Sequence, residues 1–360
     1  MRIEPQKLIN EIDYYLQCLF PITRSITGEG NRDTLRILQE LVPIKIKEYP
    51  SGSEVYDWTI PDEWNIQDAW IRDSEGKKII DFKQSNIHVV SYSENVNQKI
   101  TFSELKARLY RHQTLPDAIP YRTSYYKRDW GFSVTDKQYS ELENANGLLE
   151  VNINSSLNPN GSMTIGELLI EGTSKQEVLI STYICHPSLA NDNLSGMVMT
   201  AFLARELLKN KPIYSYRIIW VPETIGAISY CFMNENAMKR IDMGLVITTV
   251  GGLGDFGYKQ SWQPEHPINK LIEEVFLDSG NSFIKYPFDI HGSDERQYSS
   301  QAFRINVATI SKDKYYEYPE YHTSLDNLSI VSGSQISQSL DLYIKLIDKI
   351  ESRRVYRKSD

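Results

Sequence analysis

Apolar positions recur at helical spacing over residues 5–19 (PQKLINEIDYYLQCL) and 31–41 (NRDTLRILQEL), the i, i+3, i+4 pattern of amphipathic helices. Between them FPITRSITGEG is rich in turn and capping residues and reads as a loop. From roughly 44 to 160 the pattern changes to short alternating segments, among them IKIKEYPSG, VYDWTI, AWIRD, KIIDF, IHVVSYS, YRTSYYKRDWGFSV and LLEVNINSSL, followed by SMTIGELLI, with Pro, Gly, Asn and Asp between them. That predicts a mainly antiparallel β region. From about 165 strands and helices alternate: EVLISTYI (177–184) before a helix over 196–208, YSYRIIWVPE (214–223) before TIGAISYCFMNENA, GLVITTVGG (244–252) before 267–280, then NVATIS (306–311) and a long helix over 335–354. Repeated βα units point to an α/β fold, a largely parallel sheet covered by helices on both faces. The last residues, RVYRKSD, read as frayed.

A chain of 360 residues with 41% hydrophobic and 24% charged residues is ordinary for a globular protein large enough for two domains or for one with an insertion. The net charge of -8 and pI near 5.4 argue against a nucleic-acid or anionic-membrane surface. Cys18, Cys185 and Cys231 form an odd set without CxxC spacing, so no disulfide framework is expected. The amino-terminal stretch lacks an apolar signal core and no window reaches a membrane span, which together predict a cytoplasmic protein.

Chemistry concentrates where strands end. ICHPSLANDNLSG (184–196) places His186 and Asp192 after a strongly apolar strand and before a helix, and in open α/β sheets the crevice at the carboxyl ends of strands is where ligands bind. Glu223 follows another apolar strand beside Pro222, where it either has a role or caps the next helix. Asp294 and Glu295 lie in HGSDERQYSS at an expected helix start, for which capping is the simpler explanation, and His322 lies in EYPEYHTSLDN. Two neutral imidazoles and a carboxylate are a donor set that catalytic zinc takes, leaving a position open. His88, His112, His266 and His291 have no matched partners and are assigned surface or turn roles; GGLGDFG (251–257) matches neither dinucleotide nor P-loop patterns and reads as a turn.

In order, CHPSLANDNLSG, VPETIGAIS and YHTSLDN resemble the zinc aminopeptidase superfamily that includes glutamate carboxypeptidases and transferrin receptor. FPITRSITGEG, PYRTSYYKRDWGFSV, DERQYSS and PEYHTSLDNL make the chain similar to a bacterial family of aminopeptidase-like proteins, known as a domain of unknown function or as polysaccharide-biosynthesis proteins with an aminopeptidase-like domain. The resemblance implies a mixed, mostly parallel sheet between helices, built from residues 1–43 and 161–360, with a β-rich insertion over 44–160 like a protease-associated domain. It also leads us to expect that the C-terminal winged helix of longer members is absent. Residue by residue it implies His186, Asp192 and His322 as metal ligands and Glu223 as general base. Thr224 and Thr248 stand where two further ligand carboxylates of a two-zinc site are expected, so one zinc ion per chain is the arrangement these residues permit, with other divalent metals open.

The function so implied is zinc-dependent, aminopeptidase-like amide hydrolysis of a short peptide or small molecule. The alternatives are a deacylase of an amino sugar or other surface-polysaccharide precursor, or an inactive binding module on the same fold. Asp294, Glu295, Arg296 and Tyr321 are further candidates for the site. Arg122, Tyr126 and Trp130, in RTSYYKRDW with Tyr125, Lys127 and Arg128, are candidates to grip substrate or else simply pack the insertion. A homo-oligomer is compatible with the sequence; a nucleic-acid or membrane partner is not expected.

Overall fold

In the computed structural model, which describes residues 5–289 and 291–353, eight strands form the central sheet. They are β1 (Lys45–Pro50), β2 (Ser162–Ile170), β3 (Glu177–Tyr183), β4 (Ser215–Val221), β5 (Met243–Ile247), β6 (Phe256–Lys259), β7 (Phe283–Tyr286) and β8 (Asn306–Lys312), in the order β1-β2-β4-β3-β5-β8-β6-β7. The middle four, β4, β3, β5 and β8, run parallel. Their near-continuous apolar runs suit strands covered on both faces. Both margins turn antiparallel, with β1 on β2 and β2 on β4 at one side and β6 against β8 at the other, while β7 runs parallel to β6. The fold is thus the expected mixed α/β sheet. Residues 354–360, expected to fray, lie outside the described residues.

Side-chain alternation sorts the two faces. Val178 and Ile180 of β3 and Ile218 and Trp220 of β4 join one core with Leu16, Phe202, Ile272 and Leu346. These four come from the helices α1 (Pro5–Leu19), α3 (Gly196–Leu207), α5 (Pro267–Ser279) and α6 (Gly333–Ser352), while α2 (Glu29–Leu38) adds Leu35 and Leu38. Leu179, Ile219 and Val246 instead join Tyr230 of α4 (Ile225–Met233) and insertion side chains such as Ile71, Phe132 and Val151. The insertion therefore shares one apolar cluster with the sheet.

Within the insertion, Lys78–Asp81, Glu63–Arg72, Leu149–Asn158 and Val96–Ile100 form a four-stranded antiparallel sheet in that order. Its chain begins later than the sequence pattern suggested, because β1 belongs to the central sheet, with Lys45 opposite Glu167 and Pro50 opposite Ser162. The segment YRTSYYKRDWGFSV is a loop carrying a two-residue strand at Phe132–Ser133, not a β segment. Its alternation reflects aromatic side chains packed from an irregular backbone. Strands β6 and β7, at one margin of the sheet, are short and are not signalled by the pattern; Phe256 and Gly257 of GGLGDFG start β6. His88 is buried, its Nδ1 2.7 Å from the Ser133 carbonyl, rather than at the surface. No helix among the described residues is long and apolar enough to cross a membrane.

Candidate metal centre

The groups around the centre follow the carboxyl ends of the parallel strands: His186 after β3, Glu223 after β4, Thr248 after β5 and His322 in the loop after β8. The polar residues after β3 tie the turn into α3. The Asn193 amide donates to Thr182 Oγ1 at 2.9 Å and to the Tyr183 carbonyl at 3.0 Å, and the Ser195 hydroxyl donates to the Asn191 carbonyl at 2.8 Å. Gly196 is required by close approach, since a Cβ there would lie 2.2 Å from Asn193 Oδ1 and 2.6 Å from the Ile247 carbonyl. From outside, Asp326 accepts from the Asn191 and Asp192 backbone N–H groups at 2.6 and 3.0 Å and from the Tyr318 hydroxyl at 2.9 Å. The fully buried Arg24, from the FPITRSITGEG loop, donates to the carbonyls of His186 at 2.8 Å and Leu19 at 2.7 Å.

The turn brings His186, Asp192 and His322 together. Asp192 Oδ2 lies 2.9 Å from His322 Nε2 and 3.9 Å from His186 Nε2, and one ligand atom from each of the three lies within 4.8 Å of the others. The other carboxylate oxygen, Oδ1, accepts from the Tyr183 hydroxyl, which is also 2.6 Å from Thr248 Oγ1. Asp192 Oδ2 and His322 Nε2 are buried atoms left without a hydrogen-bond partner. Orphaned buried polar atoms are uncommon and call for an explanation, and a cation between them supplies one.

Protonation agrees with that fit. Burial, against the pull of Asp192, lowers His186 to about 4, so it is a neutral imidazole at neutral pH, the form that ligates metals. Burial would raise Asp192, but His186, His322 and the Tyr183 hydroxyl outweigh it and hold the carboxyl at about 2. The residues present therefore fit one divalent ion. Oδ1 is committed to Tyr183, and Thr248, where the resemblance expects a carboxylate, anchors that tyrosine.

Glu223 Oε2 stands 3.9 Å from His186 Nε2, with 28% of the side chain exposed toward the cleft. Burial, then the charge of Asp192, raises it to about 7. Among the described residues its side chain makes no cap bond to α4, whose first residue follows Thr224. Asp294 does not cap its own short helix either; its Oδ1 accepts from the Thr224 N–H at 2.7 Å, directly behind Glu223. Burial and Glu223 raise Asp294 well above the usual carboxylate range. Glu295 is buried in an ion pair with Lys259 at 3.0 Å and serves the structure rather than the metal triad, and Arg296 reaches Thr224 Oγ1 at 3.3 Å. Tyr321 stacks on His322 with ring centres 4.0 Å apart. Two of these positions, Thr224 at φ 64° and His322 at φ 53°, hold positive-φ backbone, which is uncommon for non-glycine residues and clusters at active sites and ligand clamps.

A cleft of about 340 Å³ opens over His186, Glu223 and His322. Tyr125 and Tyr126 line it, together with Tyr121 and Trp58, which the sequence reading did not single out for this role. Arg122 and Trp130 do not: the Arg122 guanidinium lies over Tyr110, and the Trp130 ring lies under Arg108. Asp326, Tyr183 and Arg24 also escaped sequence reasoning. The Asp four residues after His322 in HTSLD was the available signal for the first.

The family description Domain of unknown function (DUF4910) matches residues 14–353. A Clostridium acetobutylicum protein, provisionally named a polysaccharide biosynthesis protein with aminopeptidase-like domain, is 44% identical over 346 residues, covering 96% of this chain and 79% of the relative. A crystal structure from the same organism, provisionally named a peptidase, superposes with a TM-score of 0.94 at 43% identity over 97% of this chain and 82% of that one. A zinc aminopeptidase from Bacillus subtilis shares the fold with a TM-score of 0.67 at 12% identity, over 97% and 95% of the two chains.

Proposed function

Because this chain belongs to the DUF4910 family and has an aminopeptidase-like fold, we propose that it is a metal-dependent amide hydrolase. The observation that carries this reading is the pair of orphaned buried atoms, Asp192 Oδ2 and His322 Nε2, facing His186 beside Glu223 on the open side of the site. His186, Asp192 and His322 hold the ion, with zinc as the first choice and one ion per chain. Such an ion, when bound, supplies Lewis acidity toward a carbonyl and lowers the pKa of water.

The residues of the chain do the rest. Glu223 takes a proton from the attacking water and returns it to the departing nitrogen, and a carboxyl near 7 is suited to both acts around neutral pH. Tyr183, Asp326 and Arg24 hold Asp192 and His186 in place. The substrate is a short peptide or small molecule, and no nucleic-acid or membrane partner enters this reading. The neutral Thr224 and Thr248 favour a second reading, a binding module that has lost turnover on this fold.

Amine release from a panel of aminoacyl and N-acyl amides separates the two. The expected result is metal-dependent turnover, abolished by a chelator, restored by zinc, and reduced about 10²–10⁴-fold in Glu223→Gln at unchanged metal content. Metal binding without turnover of any amide would favour the binding module, and turnover indifferent to chelation or to Glu223→Gln would contradict the mechanism.

A further inference from the structure

We infer that the cleft selects an uncharged, N-acylated amine whose ring lies against Trp58 and Tyr126, in preference to a substrate with a free ammonium next to the scissile bond. This inference rests on the hydrolase reading and names its substrate class.

The lining carries it. Trp58, Tyr121, Tyr125, Tyr126, Ile26 and Ile225 wall the cleft, and among the described residues that line it Glu223 is the single carboxylate and no Lys or Arg is present. An ammonium entering this space would have to take Glu223 as its partner, removing the group that must accept a proton from water. The nearby carboxylate, Asp294, is 1% exposed and turned to the Thr224 N–H, so it offers nothing to a ligand. A charge moved from water into an aromatic wall without a partner is penalised, whereas an acylated nitrogen carries none.

The walls suit a ring. Trp58 stands on the hairpin formed by Glu54–Val55 and Trp58–Thr59, and Tyr126 on the loop of the insertion. Their rings meet edge to face with centres 5.7 Å apart, and both remain open to solvent at 37% and 50% exposure, ready to be covered. Deeper in, the Tyr121 and Tyr125 hydroxyls pair with each other at 3.0 Å. About 340 Å³ is near the lower end of small-molecule sites, room for one ring and its acyl group.

The reaction balances simply: the oxygen of water bonds to the acyl carbon, the carbon–nitrogen bond breaks, one proton of the water passes through Glu223 to the departing nitrogen, the other passes from the nascent acid to the freed amine, and a carboxylate and an ammonium leave.

Binding to the zinc-loaded protein tests this with probes that hold no hydrolysable amide. The probes are the methyl glycoside of glucosamine beside its N-methylsulfonyl derivative, and tyramine beside N-methylsulfonyl tyramine, each titrated calorimetrically at neutral pH. The N-blocked member of at least one pair should bind about tenfold or more tightly than its free amine, and which pair does so tells whether the ring is a sugar or an aromatic group. Trp58→Ala should weaken that binding about 2–10-fold at unchanged metal content and thermal midpoint. Free amines binding as well or better, as cation–π attraction to the same walls would produce, would overturn the inference, as would failure of both N-blocked probes to bind. Metal content is measured on the same preparation. A chain that takes up no zinc fails the hydrolase reading, while a zinc-bound chain that prefers free amines fails only the substrate class.

Discussion

Asp192 is gripped from three sides: Tyr183 holds one carboxylate oxygen, Asp326 holds its backbone N–H, and the other oxygen faces two histidines. Asp326 is thus a positioning residue, and partners of this kind typically govern metal affinity by about 10–100-fold. We expect Asp326→Asn, which keeps one acceptor and loses the second, to weaken zinc binding by about that factor while leaving the secondary structure intact; competition against a calibrated chelator measures it. Unchanged affinity would show that the Asn191–Asp192 turn holds without the carboxylate. Arg24 acts on the other ligand. Burial lowers it to about 10, so it stays charged at neutral pH, and its partners among the described residues are carbonyls. While the Leu19 and Pro187 carbonyls keep backbone N–H partners, Arg24→Met leaves the buried His186 carbonyl without its donor, which should cost about 1–3 kcal/mol in chemical denaturation. An unaltered midpoint would contradict the role assigned to the FPITRSITGEG loop.

At the scale of elements, the insertion is fastened to α2 and β2 by one network. Arg32 donates to both oxygens of Glu63 at 2.8 and 2.7 Å, and the Ser162 N–H donates to the same carboxylate at 2.8 Å. The Arg32 guanidinium, outweighing burial, lowers Glu63 to about 2. A carboxyl depressed in the folded state contributes stability above its unfolded value and loses it as pH falls through the folded one. Glu63→Gln should therefore cost about 1.5–3 kcal/mol at neutral pH, and the gap to the wild type should close as pH drops from the ordinary carboxylate range toward 2. Denaturation at several pH values reads this, and a pH-independent gap would refute it.

The elements also show what was legible. The parallel strands were, because burial on both faces writes them as unbroken apolar runs such as EVLISTYI, and His186, Asp192 and Glu223 were, because each interrupts such a run at its end. Strands β6 and β7 were not: each is only four residues long, too short to write an apolar run, and β7, the outermost, is half-buried or exposed along its length. Asp294 read as a cap from local sequence because the strand end that it faces, at Thr224, is distant in the chain. Asp326 and Arg24 work through backbone groups, which leave no pattern in side-chain chemistry.

For the whole molecule, the shared apolar cluster means that sheet and insertion unfold together. Calorimetry should show a single transition, with zinc shifting all of it, by about 2.7 kcal/mol at a hundredfold excess over Kd. Two transitions, of which one ignores zinc, would mean that the insertion folds apart from the site it walls. The central claim, however, is that His186, Asp192 and His322 form one metal site. Metal content per chain, measured after purification and after zinc addition for the wild type beside His186→Ala and His322→Ala, tests it most directly. The account predicts close to one ion per wild-type chain and a loss in both variants. A wild-type chain that holds no metal even with zinc added, or variants that hold as much as the wild type, would contradict it.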